Sequence, residues 1–185
     1  MDTTKTKIKN RNYKNLMPNT NSSTIKVQKR DGRLEDLDIN KIHFVVEEAC
    51  EGLSGVSSSQ IEMNANIQFY DGMTTKDIQN VLVRSANDLI SLESPNYQYA
   101  AARLLSYDVR KEAHGQYEYI PLLKLILRNI RSGVYDKGIL EKYTKTEIKK
   151  FNTWIKRERD LKFTYAGLRQ ICDKYLVQDR SSGQI

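Results

Sequence analysis

Cysteine, histidine and proline are scarce in this 185-residue sequence, which contains two Cys, two His and three Pro. Cys50 and Cys172 lie far apart and form no C-x-x-C pair, so the spacing argues against a zinc site. Each falls within a helical apolar pattern, and we interpret both as small core residues in a reducing compartment. His43 and His114 are predicted to lie on helix surfaces. We therefore predict no metal site.

Long apolar runs and glycine-rich loops are also missing. Without a long apolar run we predict no membrane span, and the polar N-terminus lacks the apolar stretch of a secretory signal. The nine glycines are not clustered and form no G-x-x-x-x-G-K-[ST] loop, which argues against Walker-type hydrolysis. G-x-S-x-G and H-E-x-x-H are absent as well. We expect a cytoplasmic protein.

The net charge of +7 is located in one segment. Residues 1–30 contain eight Lys or Arg and one Asp, so 22 residues of each sign remain in the rest of the chain. Residues 1–23 are rich in Asn, Thr and Lys and are predicted to form a disordered basic tail, because they cannot bury enough apolar surface. Loose binding of the tail to polyanions is the alternative. We predict no specific nucleic-acid partner.

Residues 24–115 are predicted to form a β-hairpin followed by four helices. Alternation over Thr24–Gln28 predicts a strand, Arg30-Asp31-Gly32 is typical of a turn, and Leu34 and Leu37 suggest a short returning strand. The four helices are expected to begin after an N-cap at Asp38, at about Ser59 with Ser59-x-x-Glu62 as a capping box, at Thr74 or Thr75, and at Pro95.

Residues 116–185 are predicted to be a helical region that ends in an incomplete β-hairpin. The expected features are a helix start near Pro121, a capping box at Thr144-x-x-Glu147 for a helix containing Trp154, a helix over 163–175, and a strand at Leu176-Val177 followed by a turn at 179–183.

The turn of the first hairpin suggests phosphate chemistry. A triphosphate needs cations that converge from different segments, and a helix start adds free N–H groups. The candidates are the cations Lys29, Arg30 and Lys41, Thr75 at a helix start, and Glu35 and Asp38 as acceptors for a ribose hydroxyl or an adenine amino group. An ordinary solvated hairpin with surface charges is the other interpretation of this spacing.

Longer stretches point to a family. "VQKRDGRLEDLDINKIH" resembles the ATP-cone, a nucleotide-sensing domain. The ordered series "IQFYDG", "YQYAAARLL", "HGQYE" and "KYLVQDR" is more specific, and with it the sequence from about Ile25 to Ile185 resembles the N-terminal part of the large subunit of class Ia ribonucleoside-diphosphate reductase.

The resemblance implies a mainly α fold: an ATP-cone, made of a β-hairpin and a four-helix unit, and a helical segment that stops before a ten-stranded α/β barrel. It implies ATP or dATP, with Mg²⁺, as an allosteric effector that permits or shuts down activity. The implied partners are the catalytic remainder of the large subunit and the small radical-generating subunit. The family's catalytic cysteines lie in the barrel and do not match Cys50 or Cys172, so no catalytic residue is expected here. The sequence fits a shortened chain and a split gene equally.

Residue roles are also implied by the resemblance. Lys29, Arg30, Lys41 and Thr75 would contact phosphates, Glu35 and Asp38 the base or sugar, and Lys111 would close the site from the fourth helix. Asn is expected where Asp38 stands. Gln79 stands where some members have a His near the ribose, so discrimination between ATP and dATP is an open question. A degenerate cone that only docks the catalytic chain is one alternative. A cone attached to a DNA-binding regulator is another, but it would need a four-cysteine zinc ribbon.

Overall fold

The computed structural model describes residues 25–177, and the predicted basic tail lies outside them. Within this range the chain is mainly helical, with a small sheet in the strand order β2-β1-β3. The elements are β1 (Lys26–Gln28), β2 (Leu34–Asp36), α1 (Ile39–Cys50), α2 (Ser58–Asn66), β3 (Met73–Thr74), α3 (Thr75–Asn87), α4 (Tyr97–His114), α5 (Leu122–Arg131), α6 (Gly138–Lys142), α7 (Lys145–Asn152), a 3₁₀ helix (Arg157–Lys162) and α8 (Tyr165–Lys174).

The predicted hairpin is present. β1 pairs with β2 in an antiparallel ladder, and the backbone N–H of Gly32 donates to the carbonyl of Lys29 at 2.9 Å. Gly32 has φ +85°, a left-handed conformation that glycine adopts without steric cost. The position of Lys29 and Arg30 at the tip of the hairpin is therefore set by the backbone conformation of the turn.

The third strand was not predicted. β3 pairs with β1 in parallel, with Gln28 opposite Thr74. A strand of two residues is too short to show alternation, and Thr74 was interpreted only as a helix start. The carbonyl of Lys26 accepts from the N–H of Gly72 at 2.8 Å, and the N–H of Lys26 donates to the Asp71 carboxylate at 2.7 Å. The two residues that precede β3 are therefore also hydrogen-bonded to β1.

Helix starts were predicted with mixed success. Asp38 caps α1 by accepting from the N–H of Asn40 at 3.1 Å, as predicted. The capping box at Ser59 was wrong, because α2 begins at Ser58 and its N-cap is Ser57, two residues before the predicted cap. A run of three serines offers three capping registers, and the hydroxyl of Tyr97, which accepts from the Ser57 N–H at 3.0 Å, fixes the first of them.

The core is built around α4. This helix packs against α1, α3 and α8, and among the described residues the almost fully buried side chains include Val46, Ile61, Leu82 and Leu104. Cys172 on α8 is buried in the same cluster, which confirms it as a small core residue. Cys50 is partly buried against that cluster, and burial raises its pKa to about 11, so its thiol stays neutral near neutral pH.

The region after α4 is attached to that helix by a cation–π contact and a hydrogen bond. The guanidinium of Arg110 lies 4.4 Å from the ring centroid of Tyr119, and the Tyr119 hydroxyl donates to Asp160 at 2.6 Å. Beyond it α5 packs on α7, where Ile126 and Ile148 are buried. No helix of residues 25–177 is long and apolar enough to cross a membrane.

Five predictions for this region can be checked. The helix start near Pro121 and the helix over 163–175 are confirmed, because α5 begins at Leu122 and α8 spans Tyr165–Lys174. The capping box is confirmed, because Thr144 and Glu147 bond reciprocally at the start of α7. Trp154 lies outside the helix, since α7 ends at Asn152. Leu176-Val177 do not form a strand, because the Leu176 N–H donates to a carbonyl of α8 at 3.1 Å and so closes the end of that helix. The rest of the predicted hairpin lies outside the described residues.

Candidate functional site

One small cavity collects most of the predicted site residues. It has a volume of about 120 Å³ and lies between the hairpin and the helices α1, α3 and α4. Seven of the eight predicted residues line it: Lys29, Glu35, Asp38, Lys41, Thr75, Gln79 and Lys111. A solvated hairpin would not require these side chains to meet. Their convergence from the hairpin, α1, α3 and α4 on one cavity favours a binding site.

The short third strand explains why Thr75 belongs to the site. Because Gln28 is opposite Thr74 in a parallel pair, the residues that follow these strand ends, Lys29 and Thr75, leave the sheet at the same edge, and both line the cavity. Thr75 is also the first residue of α3, so the positive end of the helix dipole lies at the cavity. Sequence spacing alone cannot bring together two residues that are so far apart in the chain.

The predicted Arg30 lines a second cavity, which is continuous with the first through shared residues. This cavity has a volume of about 420 Å³, and Lys29 and Thr75 line both. Lys76, which sequence reasoning missed, also lines it. The sequence could have indicated Lys76 through its position next to Thr75, in the first turn of α3.

The two cavities differ in chemistry. The smaller one has an apolar floor, which sequence reasoning also missed, made by Val27, Ile42, Val45, Ile78 and Leu82. The larger one has no aliphatic side chain in its lining and is bordered by three cations and Glu112. The site therefore offers an apolar, partly enclosed compartment beside an open cationic one.

Most of these cations have a carboxylate partner. The nitrogen-to-oxygen distances are 3.3 Å for Lys29–Glu35, 2.9 Å for Arg30–Asp108, 3.5 Å for Lys41–Asp38 and 3.3 Å for Lys76–Glu112. Asp108 was not among the predicted residues, because 78 positions separate it from Arg30.

Lys111 differs from the other cations of the site. None of the ion pairs formed among residues 25–177 includes it. Loss of hydration lowers the pKa of Lys111, and repulsion by Arg30 and Lys29 lowers it further. An anion placed in the cavity would relieve that repulsion.

Gln79 has one end of its amide fixed. Its Nε2 donates to the backbone carbonyl of Leu104 at 2.8 Å, and the residue lines the smaller cavity. The other end of the amide is an oxygen, which can only accept hydrogen bonds.

Two other features of the described residues lie apart from this site. No cluster of three or more His, Cys, Asp or Glu within residues 25–177 could hold a metal ion. An open groove of about 820 Å³ runs between α5 and α7, where Leu122 and Leu127 are flanked by Lys124, Arg131 and Lys149.

Comparison with known proteins gives a consistent assignment. Residues 25–112 match the model of the ATP cone domain family. The chain is 46% identical over 159 residues to ribonucleoside-diphosphate reductase 1 subunit alpha of Escherichia coli K12, which covers 86% of this chain and 21% of that protein. It is 42% identical over 164 residues to the alpha subunit of Haemophilus influenzae, covering 89% of this chain and 22% of the relative. For the alpha subunit of Enterobacteria phage T4 the identity is 42% over 163 residues, covering 87% and 21%.

The chain thus spans about a fifth of the length of the relatives that it matches. Residues 25–112, which match the family model, include the hairpin and the residues that line the two cavities of the candidate site. The chain carries an ATP cone domain in residues 25–112, and over about 86% of its length it is 40–46% identical to the N-terminal region of ribonucleoside-diphosphate reductase alpha subunits.

Proposed function

We propose that this chain binds ATP and dATP in its cone, and that binding controls the overall activity of a ribonucleoside-diphosphate reductase. The observation that carries the proposal is the convergence of Lys29, Lys41 and Lys111, from the hairpin, α1 and α4, around one cavity. Lys29 and Lys41 already pair with carboxylates, whereas Lys111 takes part in no ion pair among residues 25–177, and a nucleoside triphosphate would supply the negative charge that Lys111 lacks.

The two cavities of the site suit the two ends of such a nucleotide, its base and its phosphates. The apolar floor of the smaller cavity fits an adenine ring, with Glu35 and Asp38 as acceptors for its amino group or for a ribose hydroxyl. The cationic cavity, with Lys29, Arg30 and the start of α3, fits the phosphates. In this arrangement the oxygen of Gln79 would accept from the sugar.

Mg²⁺ would arrive with the nucleotide. Because no carboxylate cluster for a metal exists among residues 25–177, the nucleotide phosphates and water would supply most of the oxygen ligands that the ion needs. We propose a Mg²⁺–nucleotide complex as the bound species.

Binding can be tested directly by isothermal titration of the chain with dATP and ATP in the presence of Mg²⁺. Wild-type protein should show saturable binding. The double variant Lys29→Ala, Arg30→Ala should bind more weakly, by roughly 1.5–3 kcal/mol for each lost charge-assisted contact, less the energy of the ion pairs these residues already make. Lys150→Ala, on the exposed face of α7, is the matched control and should bind like wild type. Absence of binding in wild type would refute the proposal.

The regulatory part needs the proposed partners. These are the catalytic remainder of the large subunit and the small radical-generating subunit, in the cytoplasm. In an assay that combines the chain with both, ATP should support nucleotide reduction and dATP should suppress it. If neither nucleotide changes the rate although both bind, the regulatory role is wrong.

A docking role without nucleotide binding is the second candidate. It is favoured by apolar side chains that remain exposed after the cone: Val134 (67%), Trp154 (61%) and Ile155 (52%). A folded chain that ignores nucleotides but co-purifies with the catalytic remainder would support this role instead.

A further inference from the structure

A buried carboxylate lies under the hairpin and has no part in the proposed nucleotide contacts. Asp108 is on α4, and its side chain is only 10% exposed. Its Oδ1 accepts from the Nη2 of Arg30 at 2.9 Å, which joins the tip of the hairpin to the central helix. The Arg30 side chain is 40% exposed and lines the cationic cavity, so one guanidinium faces both the carboxylate and that cavity.

The charge of Asp108 is not well stabilised by its surroundings. Burial raises its pKa more than the attraction of Arg30, Lys76 and Lys111 lowers it, and Glu112 raises it further. The ionised carboxylate therefore costs the folded state free energy instead of stabilising it. A neutral group of the same shape would suit the fold better, so the reason for an acid at this position lies elsewhere.

We propose that Asp108 is a positioning residue that holds Arg30 at the hairpin tip and competes with nucleotide phosphates for its guanidinium, and so sets the affinity of the cone for triphosphates. This inference rests on the proposed function and concerns the regulation of that same site.

Asp108 and a nucleotide phosphate compete for the Arg30 guanidinium because both are negatively charged. A phosphate that contacts Arg30 brings negative charge close to a buried carboxylate, and the two anions repel each other across the same cation. The repulsion grows with the number of phosphates, so it is largest for ATP, smaller for ADP and close to nothing for adenosine. Asp108 would then reduce triphosphate binding while leaving recognition of the nucleoside unchanged.

The test is the variant Asp108→Asn, which removes the charge and keeps the shape. By isothermal titration of the full chain with Mg²⁺, we expect ATP to bind about two- to fivefold more tightly than to wild type, since a partly exposed ion pair no longer has to be broken. ADP should gain less, and adenosine less than about twofold. An unchanged or weaker affinity for ATP, or an equal gain for adenosine, would overturn the inference.

Two further variants separate this role from a general effect of charge or structure. In an Arg30→Ala background, Asp108→Asn should give a smaller gain for ATP than in wild type, because the competition for the guanidinium is gone and only the direct repulsion between carboxylate and phosphate remains. Asp173→Asn, in an exposed ion pair on α8, changes the net charge equally and should leave ATP affinity unchanged. A gain of the same size without Arg30, or a gain that appears with Asp173→Asn, would refute the role of Asp108.

The result is also distinguishable from failure of the proposed function. If neither wild type nor Asp108→Asn binds ATP, both proposals are wrong. If wild type binds ATP and Asp108→Asn binds it equally well, only the role of Asp108 is wrong. If the Asn variant melts too early to titrate, Asp108→Ser also removes the charge and gives the same comparison.

Discussion

Lys111 should contribute more to nucleotide affinity than Lys29, although both line the same cavity. Lys29 already pairs with Glu35 at 3.3 Å, so a phosphate must displace an existing partner. Lys111 takes part in no ion pair among residues 25–177 and is repelled by its cationic neighbours, so a phosphate gains its charge without such a loss. We therefore expect Lys111→Met to have the larger effect.

The size of the difference follows from the same contacts. Losing one charge-assisted contact costs roughly 1.5–3 kcal/mol, which is about 10- to 150-fold in the dissociation constant for Lys111→Met. For Lys29→Met, the ion pair given up on binding is worth about 0.2–1 kcal/mol, so the loss should be smaller by up to about fivefold. Titration with Mg²⁺ and ATP at one fixed ionic strength measures both, with Lys150→Met as the control. A loss for Lys29→Met that equals or exceeds that of Lys111→Met would contradict this reasoning.

Replacing Lys111 by Met should affect the stability of the fold in the opposite direction from its effect on ATP binding. Because the pKa of Lys111 is lowered in the folded state, the folded chain binds this proton less tightly than the unfolded chain does. This residue therefore costs stability at neutral pH, and the cost is relieved as the pH rises from the lowered pKa towards 10.5. Lys111→Met should melt at the same or a higher temperature than wild type while it binds ATP poorly, and a lower melting temperature would show that the loss of binding comes from misfolding.

Three further predictions concern the fold that carries the site. Arg103→Met should lower the free energy of unfolding in urea by about 2–4 kcal/mol, because the buried guanidinium donates at 3.1 and 2.7 Å to two carbonyls at the end of α1; Arg84→Met on an exposed face should change it by less than about 0.5 kcal/mol. The Nδ1 of His43 donates to the Glu62 carboxylate at 2.8 Å, and this bond raises the pKa of His43, so its stabilisation should be complete below pH 6.5 and lost as the pH rises through the raised pKa; a pH series of melting temperatures should lose most of this slope in Glu62→Gln. Gly32→Ala should cost about 1–2 kcal/mol, since φ +85° is strained for alanine, and an unchanged melting temperature would mean that the turn readjusts.

The features that were predictable from the sequence are local ones. Asp38 and Thr144 cap helices because their side chains reach N–H groups two or three residues away, and the hairpin turn depends on neighbouring residues, among them Gly32 with its positive φ. The error at Ser59 has the same origin, because neighbouring serines are locally equivalent and the choice among them is made by Tyr97, which comes from another helix.

The features that were missed depend on pairings across the chain. β3 gains its strand geometry only from β1, and Asp108 meets Arg30 across 78 positions. The position of Lys111 in the site came from family resemblance, because nothing in its own stretch of sequence indicates a phosphate. Its poorly compensated charge, which distinguishes it from Lys29, became visible only in three dimensions.

The packing of α8 on α4 has a practical consequence for expressing the ATP cone domain by itself. The family match stops at residue 112, yet Leu168 and Cys172 cover the helix that carries Lys111. A shortened chain that ends with the match would lack α8 and would leave the apolar side chains of α4 that it covers exposed to water. The smallest piece suitable for purification therefore extends past residue 174, and a shorter piece is expected to aggregate.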